Sequence, residues 1–303
     1  EVSEMNQILC IGSVNLDHTY QVPHIVRPGE TIACAGYRRH WGGKGLNQAL
    51  ALARAGADVH LAARVSAADL PALAALGAEN GLDTALTEGY ASPTGHAVIQ
   101  VDGSGQNCIV IYAGANATLD GDFVSAALAP FGPGDLLLLQ NEVRDVPGIL
   151  RAARSRGLTV ALNPSPVDPA MRDWPLEEAD LLILNEVEGE ALTGSAEPDA
   201  ILDALARRCP STRLVLTLGG SGSRYRFGGE SLTQPVFRAT AVDTTAAGDT
   251  FTGYFLSSFV KDRTDISAAL SSAAKAAAIA VSRRGAADSI PFAAEVADSQ
   301  LRP

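Results

Sequence analysis

Asp243-Thr-Thr-Ala-Ala-Gly248-Asp249-Thr-Phe-Thr-Gly253 is the stretch whose reading decides the fold. Ser231 to Val242 before it reads as a strand, and the small, apolar run after it has helical character. A strand, a tight turn and a helix start leave backbone N–H groups pointing outward without partners. The helix N-terminus adds about half a positive charge to them, so Ala246, Ala247 and Gly248 predict an anion site. A carboxylate there would repel a phosphate unless its task is to take a proton. Asp249 therefore reads as a general base beside a phosphoryl-binding turn. The competing reading is a helix cap, for which Asp is also favoured. The stretch alone leaves both open.

Outward from this turn, short apolar strands alternate with helices. Gln7 to Val14, Asp58 to Val65, Asp135 to Gln140, Leu158 to Leu162, Leu181 to Leu184 and Leu214 to Leu218 have the four-to-eight-residue apolar pattern of strands buried on both faces. This predicts an α/β protein with a doubly wound, mostly parallel sheet and helices on both faces. Polar residues fall at or just past the strand ends: Asn15 and Asp17, Glu142, Asn163, Asn185 and Glu188, Thr217. In a doubly wound sheet those ends form one crevice, so their convergence predicts a ligand site. Two further segments, His18 to Arg39 and the hairpin pattern Gly95 to Ile111, read as small strands packed outside the main layer. The expected division is a main body of residues 5–17, 40–94 and 113–303 and a small β lid of residues 18–39 and 95–112. Trp41-Gly-Gly-Lys-Gly-Leu-Asn47 opens an alanine-rich helix, and its glycines allow close approach of backbone to ligand. It is not a Walker A loop, and plain turn chemistry is an open alternative there.

Composition limits the partners. A chain of 303 residues with 47% hydrophobic and 19% charged residues buries a large core and has no apolar run of membrane length. A net charge of −11 argues against a nucleic-acid backbone as ligand. It also requires an anionic substrate to be held by local donors. Four scattered cysteines, Cys10, Cys34, Cys108 and Cys209, suggest reduced thiols and a cytoplasmic protein rather than a disulfide framework or zinc site. Glu1–Glu4, which precede Met5 and carry no basic-then-apolar leader pattern, read as residue of a tag.

Taken together, SVNLDH, WGGKGLNQA, YAGANA, ALNPSP, LNEVEGEALTG, DTTAAGDTFTG and AAIAVSRRGAADSIP resemble the PfkB carbohydrate-kinase family, in that family's order and over nearly the whole length. Within it the chain is most similar to the ribose-phosphorylating branch. The resemblance implies ATP-dependent phosphorylation of the terminal hydroxyl of a pentose, D-ribose to ribose 5-phosphate. Deoxyribose, a fructose derivative or a ribonucleoside is the alternative substrate, and a catalytically idle sugar-binding protein the alternative class. It further implies sugar contacts at Asn15, Asp17, Gly43, Lys44, Gly45, Asn47 and Glu142. Nucleotide contacts would be Asn185, Thr217, Leu218, Gly219, Gly220, Ser221 and Gly222. Ala246, Ala247 and Gly248 would form the hole for the γ-phosphoryl group, with Asp249 as base. Glu188 would reach Mg²⁺ through water. Asp243, Thr245, Ala280, Arg283, Gly285 and Ser289 would hold K⁺, and the β lid would pair two subunits into a homodimer.

The chain departs from the family pattern at Ser66, Tyr254 and Ala274. Ser66 stands where a glycine is usual, which puts the loop from Val65 to Asp69 in question. Tyr254 is expected to crowd the helix after Asp249. Ala274 replaces a His or Asn near the adenine.

Overall fold

The computed structural model describes residues 6–303. The expected tag, Glu1–Glu4, and the first residue of the expected main body lie outside the described residues. At the centre is an eight-stranded sheet. Its order is Glu230–Gln234, Ser223–Phe227, Arg213–Thr217, Leu181–Asn185, Thr159–Asn163, Leu136–Gln140, Ile8–Ile11 and Val59–Ala62. The pairs from Arg213–Thr217 to Val59–Ala62 are parallel, and the two strands at the other edge are antiparallel.

Helices cover both faces, because strands such as Ile8–Ile11 and Leu136–Gln140 are buried along their whole length and offer apolar side chains to each side. On one face Leu46, Leu50, Phe255 and Leu270 form a core under the helices Lys44–Arg54, Ala247–Lys261 and Ile266–Val281. On the other, Phe123, Leu150 and Leu202 do so under Gly121–Leu128, Val146–Ser155 and Pro198–Arg208. The expected fold class is the one found. Ile8–Ile11 lies between Val59–Ala62 and Leu136–Gln140. The chain thus leaves it toward one side and later continues on the other. A crevice opens at the carboxyl ends of strands at such a switch point.

A second, four-stranded sheet runs Gly36–Gly42, Asn15–Gln21, Gly95–Val101 and Asn107–Tyr112. Asn15–Gln21 follows the first central strand after three residues, so Asn15 and Asp17 belong to this outer sheet and not to the end of the central strand. Gly36–Gly42 leads directly into the helix Lys44–Arg54.

Two expected strands differ. Asp58 to Val65 divides into Val59–Ala62 in the central sheet and Arg64–Ser66, which pairs with Glu88–Tyr90. Arg64 accounts for the break, since its charge needs partners. It finds Glu88 and Asp120 and stacks on Tyr90 and Phe123. The strand expected over Ser231 to Val242 stops at Gln234. Pro235 has no N–H for the ladder, and residues 235–246 carry no helix or strand. Among the described residues no helix is long and apolar enough to cross a membrane.

Candidate active site

Asp249 sits in the first turn of Ala247–Lys261, yet its side chain makes no capping bond to that helix. The carboxylate instead crosses to the helix Lys44–Arg54. Oδ2 accepts from Asn47 Nδ2 at 3.0 Å and Oδ1 from Gln48 Nε2 at 2.9 Å. Asp249 is 6% exposed. That geometry removes the capping alternative, because a capping carboxylate would accept from its own helix's N–H groups.

The turn before it is tight. Ala246 has φ 58°, ψ 10°, a left-handed conformation unusual for a residue with a Cβ and of the kind that gathers at functional sites. Of the three amides expected to be free, Ala247 N–H donates to Thr244 O at 3.3 Å. The N–H groups of Ala246 and Gly248 have no partner among the described residues. Nothing lies within 4 Å of a Cβ placed on Gly248, so the turn is open to a ligand at that residue.

Beside it, Glu142 ties three segments together. Its Oε2 accepts from Ser13 Oγ and, at 2.9 Å, from the backbone N–H of Lys44. Ser13 Oγ in turn accepts from Gly45 N–H at 3.2 Å. Gly45 must be glycine, because a Cβ would lie 2.4 Å from Ser13 N and 2.6 Å from the Gly12 backbone. Gly43 has φ 90° and likewise presses on Ser13 and Asn15. Burial opposes the charge of Lys44, but the carboxylates of Asp249, Glu142 and Glu188 outweigh it and hold its pKa above the ordinary lysine value. Lys44 therefore lies within electrostatic reach of all three carboxylates.

Asn15 is buried, and its Oδ1 accepts from Asn116 Nδ2 at 2.8 Å. Asp17 faces the cleft between the outer sheet and the main body, a cavity of about 1390 Å³ also lined by Arg38, His40, Asp243, Thr245 and Gly285. Burial pushes the Asp17 carboxyl up to about 6; His40, 3.8 Å away, pulls it down and Glu142 raises it. Asn47 Oδ1 is buried without a partner, an acceptor awaiting a donor.

Further along the sheet, Asn185 and Thr217 are register partners at the ends of neighbouring parallel strands. Thr217 leads into the turn Leu218–Gly222, closed by Leu218 N–H to Gly222 O at 2.8 Å. Gly219 and Gly220 meet nothing within 4 Å, which leaves that surface open, while Ser221 N–H is used by Leu218 O. Glu188 is 4% exposed and forms a reciprocal cap with Asn185. Its two oxygens accept from Asn185 N and Nδ2 at 2.9 and 3.0 Å. One lone pair on each oxygen remains for water, which fits the outer sphere of a hydrated cation.

The segments expected to hold a monovalent cation meet. Val242 and Asp243 N–H both donate to Val281 O, and Asp243 Oδ2 accepts from Gly285 N–H at 3.0 Å. Asp243 Oδ1 accepts from the amide and hydroxyl of Thr245. Burial alone would raise the Asp243 pKa, but these donors prevail and it lies below the usual aspartate value. Ala280 O accepts from Arg283 N–H, and Ser289 Oγ donates to Ala286 O. An anionic oxygen among turn carbonyls is a donor set that suits a hard monovalent cation. No group of three or more His, Cys, Asp or Glu side chains with metal-site geometry occurs among the described residues.

Tyr254 does not crowd its helix as expected: it is buried and donates from its hydroxyl to Pro291 O at 2.7 Å. Ser66 is absorbed in the short strand pair, its N–H donating to Thr94 Oγ1. Ala274 is a buried core residue. The sequence reading missed Ser13, Gln48, Asn116 and Gln140, all of which bond to expected site residues or to one another. Gln48 carried a signal, being an amide in an otherwise apolar stretch of helix.

This constellation of an acid held by amides, a free helix-terminal amide and a polar cleft on a doubly wound sheet is that of a phosphotransferase, and the chain belongs to the pfkB family of carbohydrate kinases, matched over residues 5–293. It is an ATP-dependent carbohydrate kinase. Among its relatives, the ribokinase of Haemophilus influenzae is 35% identical over 289 residues, covering 93% of this chain and 94% of the relative. The structure of Arabidopsis thaliana ribokinase complexed with ribose and ATP superimposes with a TM-score of 0.84 at 28% identity, over 96% of this chain and 97% of that one. Cryptococcus neoformans ribokinase in complex with ADP gives 0.83 at 33% identity, over 97% and 99%.

Proposed function

We propose that the protein transfers the γ-phosphoryl group of ATP to the terminal hydroxyl of D-ribose. The observation that carries this is the Asp249 carboxylate, turned from its own helix toward Asn47 and Gln48 beside the unpartnered amide of Gly248. Asn15, Asp17, Gly43, Gly45, Asn47 and Glu142 hold the sugar; the orphan Asn47 Oδ1 supports this, since a hydroxyl would satisfy it. Asp249 takes the hydroxyl proton as the sugar oxygen forms its bond to the γ-phosphorus and the bond to the β-phosphate oxygen breaks. Ala246 and Gly248 donate to the equatorial oxygens, with Ala247 completing the turn, and Lys44 offsets charge. Asn185 and Thr217 to Gly222 take the nucleotide. Mg²⁺, held through water by Glu188, would supply charge neutralisation at the phosphates. K⁺ would sit at Asp243, Thr245, Ala280, Arg283, Gly285 and Ser289. The test is ADP release across ribose, deoxyribose, fructose and ribonucleosides. Ribose is expected to have the highest kcat/KM; a clear preference for another acceptor overturns the assignment.

Three outcomes follow from the same reading. Asp17 accepts most strongly from a sugar hydroxyl when ionised, and burial raises its pKa to about 6. The KM for sugar therefore rises as pH falls through that value and is flat above about 7.5. His40→Ala removes the charge that lowers this pKa, so the rise begins at higher pH; a KM independent of pH removes Asp17 from the sugar site. Exchanging K⁺ for Na⁺ lowers turnover, and equal rates in the two salts would discard the cation site. Finally, the strand Asn107–Tyr112 is an edge exposed along its length and carries Ile109, Val110, Ile111 and Tyr112. Such an edge invites pairing, here into a homodimer through the lid. Val110→Lys should shift the protein to monomer in sedimentation, whereas an unchanged oligomer places the interface elsewhere.

A further inference from the structure

We infer that Gln48 is a positioning residue for the catalytic base, locked in place by Gln140 and Asn163; this rests on Asp249 being that base. Gln48 is fully buried and all of its polar capacity is directed. Nε2 donates to Asp249 Oδ1 and to Asn163 Oδ1, each at 2.9 Å. Oε1 accepts from Gln140 Nε2 at 2.8 Å. Asn163 is itself held by donating to Ile183 O at 2.8 Å. Gln140 also donates weakly to Cys10 Sγ at 3.7 Å, and that thiol reaches Gly45 O at 3.5 Å.

The amide therefore has one tenable orientation. Turned over, it would set Oε1 against the Asp249 carboxylate and lose both Gln140 and Asn163. Two adjacent strand ends, those of Leu136–Gln140 and Thr159–Asn163, thus fix the direction in which one N–H is offered to the base. The consequence is twofold. The donated bond favours the ionised carboxylate, the form that accepts a proton. With Asn47 on Oδ2, it also fixes the carboxylate plane and leaves one lone pair on each oxygen for the acceptor hydroxyl. The charged or titratable groups around Asp249 are Lys44, cationic, the carboxylates Glu142 and Glu188 that share that lysine's field, and Cys10, whose thiol burial pushes up to about 12 and keeps neutral. Lys44 and Cys10 do not titrate near neutrality.

The test is the pH profile of kcat at saturating sugar and ATP, which reports groups in the ternary complex and leaves Asp17 aside. Gln48→Met is expected to lower kcat about tenfold or more and to move the acid limb up by about one pH unit, with the KM for sugar changed by less than about threefold. Gln140→Met should move both in the same direction by less. The double variant should match Gln48→Met alone, because Gln140 acts only through Gln48. Should Gln48→Met fail to fold, the Gln140→Met limb carries the comparison. An unmoved acid limb, or losses in the two variants that simply multiply, overturns the inference. Asp249→Asn separates the cases: full turnover there sinks the base assignment itself, whereas an inactive Asp249→Asn with an unmoved Gln48→Met limb sinks only the positioning role.

Discussion

Replacing Asp249 by asparagine lowers turnover by about a hundredfold or more while sugar and ATP still bind. The amide is the same size and its oxygen can still accept from Asn47, but its NH2 then faces the Gln48 Nε2 donor. What it lacks is the capacity to take the hydroxyl proton. The unpaired contact with Gln48 costs about 1–3 kcal/mol of stability, and the melting temperature separates this from the loss of chemistry. Calorimetric titration of both substrates with steady-state ADP release decides the matter. Near-normal turnover would mean that the hydroxyl loses its proton elsewhere.

Gly253→Val should damage stability and turnover together. A Cβ on Gly253 would lie 2.4 Å from Ala51 Cβ and 2.8 Å from Leu52 N, so the two helices must part. Overpacking of this kind costs about 1–3 kcal/mol. One helical turn back along each helix stand Asp249 on one side and Asn47 and Gln48 on the other. Separating Gly253 from Ala51 and Leu52 therefore stretches the bonds that aim the base. A displacement of order 1 Å there can cost about a hundredfold in rate. Thermal unfolding and kcat measured on one preparation should both fall, and a loss of stability with full kcat would show that the base is aimed independently of helix spacing.

How much of this was legible beforehand depended on range. The parallel sheet could be read because each central strand is a short apolar run, a local signal. The turn at Ala246 to Asp249 could be read because its residues are consecutive. The division of Asp58 to Val65 could not, since it depends on Arg64 meeting Glu88 and Asp120, residues 24 and 56 positions away. The early end of Ser231 to Val242 was available in Pro235 and was outweighed by the surrounding β-formers. Composition could not separate a capping Asp249 from one turned away from its helix, because that decision lies with partners some two hundred residues earlier. Gln140 was similarly hidden: at the end of an apolar strand it looks like a boundary residue until the fold sets it against Gln48.

The outer sheet has one more consequence. Its strands Asn15–Gln21 and Gly36–Gly42 are continuous with the first central strand before them and the helix Lys44–Arg54 after them, whereas the proposed nucleotide contacts come from residues 185–222. Most of the proposed sugar contacts, from Asn15 to Asn47, are thus written in a different passage of the gene from those nucleotide contacts, with Glu142 and Asp249 standing apart from both. Selection can retune which polyol is taken by editing the codons for residues 15–47 and leave those of the nucleotide turn untouched.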